Sequence, residues 1–359
     1  MRKLLTMELL LLFAVSLHAM PGNGAWKFHT GDYVFSTPCI VGNWAVFGSR
    51  DDSLYCVDIY RGKLVWQFDT DGDVKTSPVY WDNKIYFASD DYYIYCLNAK
   101  TGKEIWKTLT EGTYFGSPVI ADGNLYIGGK DSYLYCVNAK TGKIVWKHSV
   151  GDSISSTPFV TGGKVYFGGD DANIYCLSAK DGKQVWEFAA ADDVLSSPCV
   201  ADGKVYAGDY AGYLYCLDAK TGKEIWNFQT DDVVFSSPNI SEGRVYFGSW
   251  DDNFYCVNAK TGKEIWSFQA EDNIETSPVV VDGVAIFGSA DSYVYCVDIQ
   301  DGSLKWKYKT GYVFANNPTV AYGKVLIGGW DQFLHCIWSG TAPKTVAYPV
   351  ISGMYQMKK

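Results

Sequence analysis

Short apolar runs separated by polar turns recur along almost the whole chain, and residues 194–229 show the pattern clearly. This window contains four runs of strand length: VLSSPCVA, VYAGD, YLYCLDA and EIWNFQ. Asp202-Gly203-Lys204 marks a hairpin turn after the first run, and AKTGK, residues 219–223, marks the turn before the fourth. The third run is apolar at consecutive positions, which indicates a sheet packed on both faces. Because no segment carries a 3.6-residue apolar period over a useful length, the chain is predicted to be all-β.

The pattern repeats every 40 residues, eight times and without a gap. Proline falls at positions 38, 78, 118, 158, 198, 238, 278 and 318, and cysteine at 56, 96, 136, 176, 216, 256, 296 and 336. Tryptophan occupies a third fixed position, as Trp26, Trp66, Trp106, Trp146, Trp186, Trp226, Trp266 and Trp306. A period of about 40 residues is typical of the four-stranded blades of a β-propeller.

The two ends of the chain supply complementary parts of one blade. Seven complete repeats run from about residue 33 to residue 310, and an eighth, ending near residue 338, contains only three strands. A spare fourth strand lies at residues 25–30. We therefore predict an eight-bladed propeller of four-stranded antiparallel blades over residues 25–338, whose ring is closed when the N-terminal strand joins the last blade and removes an open edge. Residues 339–359 are expected to form a C-terminal tail on the surface.

The first 19 residues are predicted to be a signal peptide. Arg2 and Lys3 form a short basic region, residues 9–17 (LLLLFAVSL) form an apolar run, and Ala19 is a small residue suited to cleavage. The run is too short to span a bilayer comfortably, although an uncleaved anchor is the alternative. No other stretch has the character of a transmembrane segment, so we expect a secreted, periplasmic or cell-surface protein.

The composition agrees with an all-β protein and limits the possible partners. The chain has 359 residues, among them 36 Gly, 27 Tyr, 18 Phe and 13 Trp, a combination that favours many short strands and tight turns. Its net charge of −9 argues against nucleic acid and against a polybasic contact with anionic lipid. We expect a monomer.

The turn between the third and fourth strands carries a recognisable motif. Residues 99–106 (AKTGKEIW) recur from positions 139, 219 and 259, with variants from positions 59, 179 and 299. The segment resembles the tryptophan-docking motif of pyrroloquinoline quinone (PQQ)-like repeat propellers. That family includes quinoprotein dehydrogenases and also non-enzymatic scaffolds similar to the lipoprotein of the outer-membrane β-barrel assembly machine. The resemblance implies that glycine makes the turn and that the eight repeat tryptophans are structural, each packing against the neighbouring blade.

The ten cysteines are predicted to be buried thiols and not disulfides. Eight of them occupy one equivalent position on the third strand of each blade. Packed sheets lie ~10 Å apart, whereas a disulfide requires Cα atoms within about 7 Å. Cys39 and Cys199 are four blades apart, on opposite sides of the ring. With no CxxC or HxxxH spacing and only four His, a transition-metal site is not expected.

The two faces of the propeller differ in how closely they keep the repeat. We call top face the loops from the fourth strand to the next blade and from the second to the third strand; the other loops form the bottom face. The bottom loops are nearly uniform, whereas the top loops vary. Top-loop residues 29–35 and 49–53, with their equivalents at 40-residue intervals, hold 25 Asp or Glu and four Lys or Arg. The top face is therefore predicted to bind a specific partner and to attract cations.

Two variable positions supply the candidate ligand-binding residues of the top face. One carries Phe35, Lys75, Phe115, Ser155, Leu195, Phe235, Glu275 and Ala315, and is expected to rim the central channel. The other carries Arg50, Asp90, Lys130, Asp170, Tyr210, Trp250, Ala290 and Trp330. We predict an aromatic platform for a peptide, a sugar or a flat cofactor from Phe35, Phe115, Tyr210, Phe235, Trp250 and Trp330, with Lys75 available to an anionic ligand. Covering of loop backbone is the alternative role of these aromatics.

The aspartate that follows the second position has a different status. It occurs in seven of the eight repeats, at 51, 91, 131, 171, 251, 291 and 331, with Ala211 as the exception. Such regularity indicates a turn residue that bonds its own loop backbone. Calcium binding is the alternative.

A binding role is favoured over catalysis, although the sequence leaves the question of an enzyme open. Quinoprotein dehydrogenases often carry a vicinal Cys-Cys pair and pocket-building insertions, and this chain has neither. Glu275, Asn316 and Asn317, on adjacent blades near the axis, are the best oxygen ligands for calcium. The sequence thus predicts a binding scaffold whose top face engages a protein, a peptide or a glycan and needs no cofactor. The alternative is a PQQ- and calcium-dependent oxidoreductase.

Overall fold

The computed structural model describes residues 20–312, 316–341 and 346–348, and every regular element among them is a β-strand. The strands form eight antiparallel sheets arranged as the blades of a propeller, as predicted. In the described part of the chain there is no helix long and apolar enough to cross a membrane. The predicted signal peptide, residues 1–19, lies outside the described residues.

The strands follow the 40-residue repeat closely. β1 is Gly24–His29, and blade 1 contains β2 (Cys39–Val41), β3 (Trp44–Gly48), β4 (Ser53–Asp58) and β5 (Leu64–Asp69). Blades 2 to 4 contain β6 (Val79–Trp81), β7 (Lys84–Ala88), β8 (Tyr93–Asn98), β9 (Glu104–Leu109), β10 (Val119–Ala121), β11 (Asn124–Gly128), β12 (Tyr133–Asn138), β13 (Ile144–Ser149), β14 (Phe159–Thr161), β15 (Lys164–Gly168), β16 (Asn173–Ser178) and β17 (Gln184–Ala189). Blades 5 to 7 contain β18 (Cys199–Ala201), β19 (Lys204–Gly208), β20 (Tyr213–Asp218), β21 (Glu224–Gln229), β22 (Asn239–Ser241), β23 (Arg244–Gly248), β24 (Asn253–Asn258), β25 (Glu264–Gln269), β26 (Val279–Val281), β27 (Val284–Gly288), β28 (Tyr293–Asp298) and β29 (Leu304–Lys309). Blade 8 contains β30 (Thr319–Ala321), β31 (Lys324–Gly328), β32 (Phe333–Trp338) and β33 (Val346–Ala347).

The ring closes between the two ends of the chain, as the repeat count predicts. β1 pairs antiparallel with β32, with Trp26 opposite Cys336 and His29 opposite Phe333. The N-terminal strand therefore serves as the outer strand of blade 8. This pairing gives the outer edge of β32 a partner of its own chain.

Part of the tail does not lie on the surface as expected. β33 pairs with β30, the innermost strand of blade 8, so that this sheet has five strands in the order β1-β32-β31-β30-β33. Tyr348, which follows β33, is buried, and its hydroxyl accepts a hydrogen bond from the Ile40 N–H at 3.3 Å. The innermost strand of a blade has an open edge of backbone donors and acceptors, and β33 satisfies that edge on blade 8 while Tyr348 gains a buried position. Residues 349–359 lie outside the described residues.

Each of the eight repeat tryptophans reaches the next blade. The indole Nε1 donates a hydrogen bond to a backbone carbonyl 33 residues later in every case, at distances from 2.8 Å for Trp26 to 3.3 Å for Trp226. The ring packs on a turn glycine: a Cβ added to Gly222 would lie 2.7 Å from Trp186, and the φ of Gly222 is +72°. Any larger residue at this turn is both strained and too close to the indole, which explains why glycine occupies it.

The core lies between adjacent blades. Most third-strand side chains are buried on both faces of the sheet, whereas the outer fourth strands expose alternate residues. All ten cysteines are buried thiols, as predicted. Burial raises the pKa of Cys136 and of Cys256 to about 11, so these thiols remain protonated at neutral pH and act as small apolar side chains.

Candidate functional site

The seven predicted ligand-binding residues all lie on the top face around the propeller axis. The axial cavity is lined by Phe35, Lys75, Phe115, Phe235 and Trp330. Tyr210 and Trp250 do not line it but contact Phe235. The positions vary from blade to blade in sequence, but the ring of blades brings them together, because equivalent loops of a propeller converge on one axis.

Three aromatic rings on blades 5 and 6 form one cluster, which we call the rim cluster: Tyr210, Phe235 and Trp250. The centroids of Tyr210 and Trp250 are 5.6 Å apart, and those of Phe235 lie 6.3 Å from Tyr210 and 6.2 Å from Trp250. All three side chains are partly exposed. Mutual packing of this kind holds aromatic faces in fixed positions, so a partner would meet a rigid surface.

Trp330, on blade 8, also lines the cavity and has a partner of its own. Its ring stacks on Tyr33 at a centroid distance of 5.6 Å and an interplanar angle of 11°, and the Trp330 side chain is 37% exposed. The Arg50 guanidinium lies 5.8 Å from the Tyr33 ring on the same blade. Tyr33 was not predicted as a site residue, although it is the one tyrosine at its position of the repeat and so carried a detectable signal.

Three phenylalanines narrow the channel at its top, and we call Phe35, Phe115 and Phe235 the axial phenylalanines. Phe115 contacts both others, with centroids 5.8 Å from Phe35 and 6.4 Å from Phe235. Because these residues come from blades 1, 3 and 6, their contacts cross the axis. The cavity that they enclose has a volume of about 150 Å³. Pockets for drug-sized ligands measure roughly 300–1,000 Å³, so this one suits a group of only a few heavy atoms.

The cations of the top face near this cavity are paired with aspartates. Lys75 forms an ion pair with Asp90, and its Nζ lies 3.8 Å from Asp73, which also pairs with Arg50 at 2.9 Å. Lys130 lies 3.2 Å from Asp170 in the same manner. An anionic ligand approaching Lys75 would therefore have to compete with two carboxylates already in place.

Glu275 is the acidic residue of the cavity lining in the described part of the chain. Among the described residues its carboxylate has neither an ion pair nor a hydrogen bond. Burial, followed by the charge of Asp272, raises the pKa of Glu275. The Glu275 charge is also felt by the rim cluster, since burial and then this charge raise the pKa of Tyr210.

The side chains of Asn316 and Asn317 bond the backbone of neighbouring loops. Asn316 Nδ2 donates to the carbonyls of Val34 at 3.1 Å and Ser36 at 2.8 Å, while its Oδ1 accepts from the Gly328 N–H at 2.9 Å. Asn316 is buried and links blade 8 to blade 1.

Asn317 belongs to a belt of inter-blade hydrogen bonds that sequence reasoning missed. Its Oδ1 accepts from the backbone N–H of Ser277, one blade earlier, at 2.5 Å. In blades 2 to 7 a hydroxyl oxygen accepts the equivalent bond from the backbone N–H 40 residues earlier, at 2.8 to 3.0 Å. These hydroxyls belong to Ser77, Ser117, Thr157, Ser197, Ser237 and Ser277. The signal was the Ser or Thr one residue before seven of the eight repeat prolines, with Asn317 in the eighth repeat, and its role is structural.

Glu275, Asn316 and Asn317, the candidate calcium ligands, do not by themselves make a calcium site. Calcium takes six to eight oxygen ligands, whereas the only carboxylate in the described lining is that of Glu275. Both polar atoms of the Asn316 side chain and the oxygen of Asn317 already bond backbone groups. The described residues contain no cluster of three or more His, Cys, Asp or Glu arranged to hold a metal ion.

The repeated aspartate of the top turns bonds its own loop, as predicted for a turn residue, and also bonds the third strand. Asp91 Oδ1 accepts from the Tyr93 N–H at 3.0 Å, and Oδ2 accepts from the Tyr95 hydroxyl at 2.6 Å. In blade 8 a histidine replaces the tyrosine, with His335 Nε2 2.9 Å from Asp331 Oδ2. The aspartates are thus engaged within the fold.

Two family models match the chain. A model described as the β-propeller of the beta-alanine-activating enzyme matches residues 120–321, and one described as outer membrane protein assembly factor BamB matches residues 15–115. The chain belongs to the PQQ-like repeat β-propeller family. A search of curated protein sequences finds no match.

Solved structures similar to this PQQ-like propeller include a designed protein, BamB and a dehydrogenase. The computationally designed Ika8 protein has a TM-score of 0.80 at 16% identity, covering 88% of this chain and 99% of its own. BamB from Moraxella catarrhalis has a TM-score of 0.76 at 18% identity, covering 88% and 98%. A europium-containing methanol dehydrogenase has a TM-score of 0.74 at 18% identity, covering 86% and 85%. Identities this low establish the shared fold alone.

Proposed function

We propose that this propeller is a secreted, periplasmic or cell-surface binding scaffold whose top face engages a protein, a peptide or a glycan without catalysing a reaction. The observation that carries the proposal is the rim cluster together with Trp330. These aromatics occupy positions where the repeat is broken, and Phe235 and Trp330 line one cavity on an acidic face, with Tyr210 and Trp250 packed against Phe235. Rigid, partly exposed Tyr and Trp side chains are the residues that most often anchor a binding partner.

The likeness to BamB supports an envelope location and a protein partner, since that relative is described as an outer membrane protein assembly factor. The predicted signal peptide over residues 1–19 points to the same compartments. The acidic top loops favour a partner that presents basic groups. We propose that the chain acts as a monomer.

The alternative, a PQQ- and calcium-dependent oxidoreductase, finds less support in the site. The cavity of about 150 Å³ is small for a tricyclic cofactor. The Lys75 ammonium is held by Asp90, and the asparagine side chains bond backbone groups. Binding of the cofactor there would require the axial phenylalanines to move apart.

The test compares capture of envelope proteins and glycans by the immobilised wild-type protein and by a double variant, Trp250→Ala with Trp330→Ala. We expect a partner bound by wild type to be lost in the double variant. Tyr60→Ala is the matched control, because Tyr60 is a bottom-face aromatic that is 52% exposed. Melting temperatures verify that all variants are folded. Undiminished binding by the double variant would place the site elsewhere, and a saturable, calcium-dependent rise of melting temperature with PQQ would favour the oxidoreductase.

A further inference from the structure

In the described part of the chain, the axial cavity combines aromatic walls with a single carboxylate that forms no ion pair. The axial phenylalanines and Trp330 supply the rings, and Glu275 supplies the charge. Phe115 contacts both Phe35 and Phe235, with centroids 5.8 Å and 6.4 Å away, so a small group placed against Phe115 in the cavity is near more than one ring at once.

Such a combination suits a positively charged organic group. A cation within about 6 Å of an aromatic centroid is attracted by the ring, and the attraction increases when water is excluded. A carboxylate in the same enclosure adds a charge that is only weakly screened. We propose that the axial cavity binds an alkylammonium group, with the axial phenylalanines around it and Glu275 as its counter-ion.

The other charges around the cavity agree with this assignment. Lys75 is the lysine of the described lining, and its ammonium is already neutralised by Asp90 and Asp73. Lys130, 5.7 Å from the Phe115 ring, is likewise paired with Asp170. Among the described residues, these ion pairs leave the Glu275 charge uncompensated. Burial raises the pKa of Glu275, and a bound cation would stabilise its charged form.

The size of the cavity limits which ligands it can bind. At about 150 Å³ it admits the head of an amine and not a fused-ring cofactor. The hydroxyl oxygens of the lining at the level of the inter-blade belt already accept hydrogen bonds from backbone N–H groups, so the proposed recognition rests on charge and aromatic contact. An ammonium with apolar substituents meets these conditions better than a sugar hydroxyl does.

The experiment is isothermal titration of the full chain with choline and with its neutral analogue, in which a tert-butyl group replaces trimethylammonium. We expect saturable choline binding, with the neutral analogue about tenfold weaker. Glu275→Gln should weaken choline about tenfold and leave the neutral analogue unchanged, whereas Glu104→Gln, on the exposed outer strand of blade 2, should change neither. Phe115→Leu should weaken both ligands.

Two results would overturn the assignment: absence of saturable binding at millimolar choline, or equal affinity for choline and the neutral analogue in the wild-type protein. The second comparison needs no variant and so does not depend on the folding of Glu275→Gln. A peptide with one trimethyl-lysine, titrated in parallel, distinguishes an ammonium carried by a protein from a free amine. The site requires no macromolecular partner, so its failure would leave the binding-scaffold proposal intact.

Discussion

The carboxylate of Asp209 accepts a hydrogen bond from the hydroxyl of Tyr215, with Oδ2 2.9 Å from the phenolic oxygen. In other blades the corresponding aspartate stands two residues later, as Asp171 does for Tyr175 at 2.7 Å. Asp209 also accepts hydrogen bonds from the N–H groups of Tyr213 and Ala191. In other blades the aspartate at the position of Ala211 makes the equivalent bonds. Ala211 therefore does not mark a missing function: the carboxylate has moved along the loop and kept its partners.

This relationship predicts a compensating pair of substitutions. Asp209→Ser alone should lower stability by about 1–3 kcal/mol, because it leaves a buried hydroxyl and two N–H groups without their acceptor. Ala211→Asp alone should also destabilise, since it sets a second carboxylate beside Asp209. The double variant restores the arrangement of the other blades and should approach wild type. A double-mutant cycle in urea measures the coupling, and simple additivity of the two losses would refute it.

The contact between Trp186 and Gly222 predicts a cost of substitution that a matched glycine does not share. Gly222 and Gly203 both have a φ of +72°, but a Cβ at Gly203 would meet nothing within 4 Å. Alanine at either position bears the left-handed strain of about 1–2 kcal/mol. Only Gly222→Ala adds a clash with the indole, for a further loss of about 1–3 kcal/mol. Thermal unfolding of both variants provides the comparison. Equal melting temperatures would show that the Trp186 ring can move away from the added Cβ without loss of stability.

The junction of blades 8 and 1 is predicted to depend on the amide of Asn316, at a position where six of the other seven repeats carry a hydroxyl and one carries Gly116. Asn316→Ser keeps a group that can bond Gly328 but removes the two bonds to blade 1, with an expected loss of about 1–3 kcal/mol. Thr276→Ser is the control, because Thr276 bonds Gly288 within its own blade. We expect a lower urea midpoint for the asparagine variant than for the control. Identical midpoints would mean that strand pairing alone closes the ring.

The burial of Tyr348 predicts that the tail contributes to stability. Tyr348→Ala should cost about 3 kcal/mol, since a large buried side chain is lost. It should also release the Ile40 amide to faster hydrogen exchange, because that N–H donates to the phenolic oxygen. Exchange at Ile40 and the melting temperature are the two measurements. If the Ile40 amide stays protected in the Tyr348→Ala variant, the contact is contradicted. Tyr60→Ala, which removes an exposed tyrosine, is the control for both the exchange rate and the melting temperature.

For the residues near the axis, the sequence predicted which positions are variable but not which groups their side chains contact. The variable top loops identified Phe235, Trp250 and Trp330 as binding candidates, because departures from a repeat are visible within one chain. The same reasoning treated Asn316 and Asn317 as possible metal ligands, since a sequence does not reveal that their amides reach backbone groups 2.5 to 3.1 Å away in neighbouring loops. It also placed the tail on the surface, because a two-residue strand such as β33 has no periodic pattern to detect.

The sequence by itself determined the eight blades, their four strands and the closure by residues 25–30, since the 40-residue period reflects strand lengths and turns that are local properties. Only the tertiary structure decided which variable side chains meet. The contact of Phe115 with Phe235 crosses the axis between blades 3 and 6, and the isolation of Glu275 depends on which neighbouring lysines are already paired. These relationships join residues far apart in the chain, so they arise from the geometry of the closed ring and not from any local pattern.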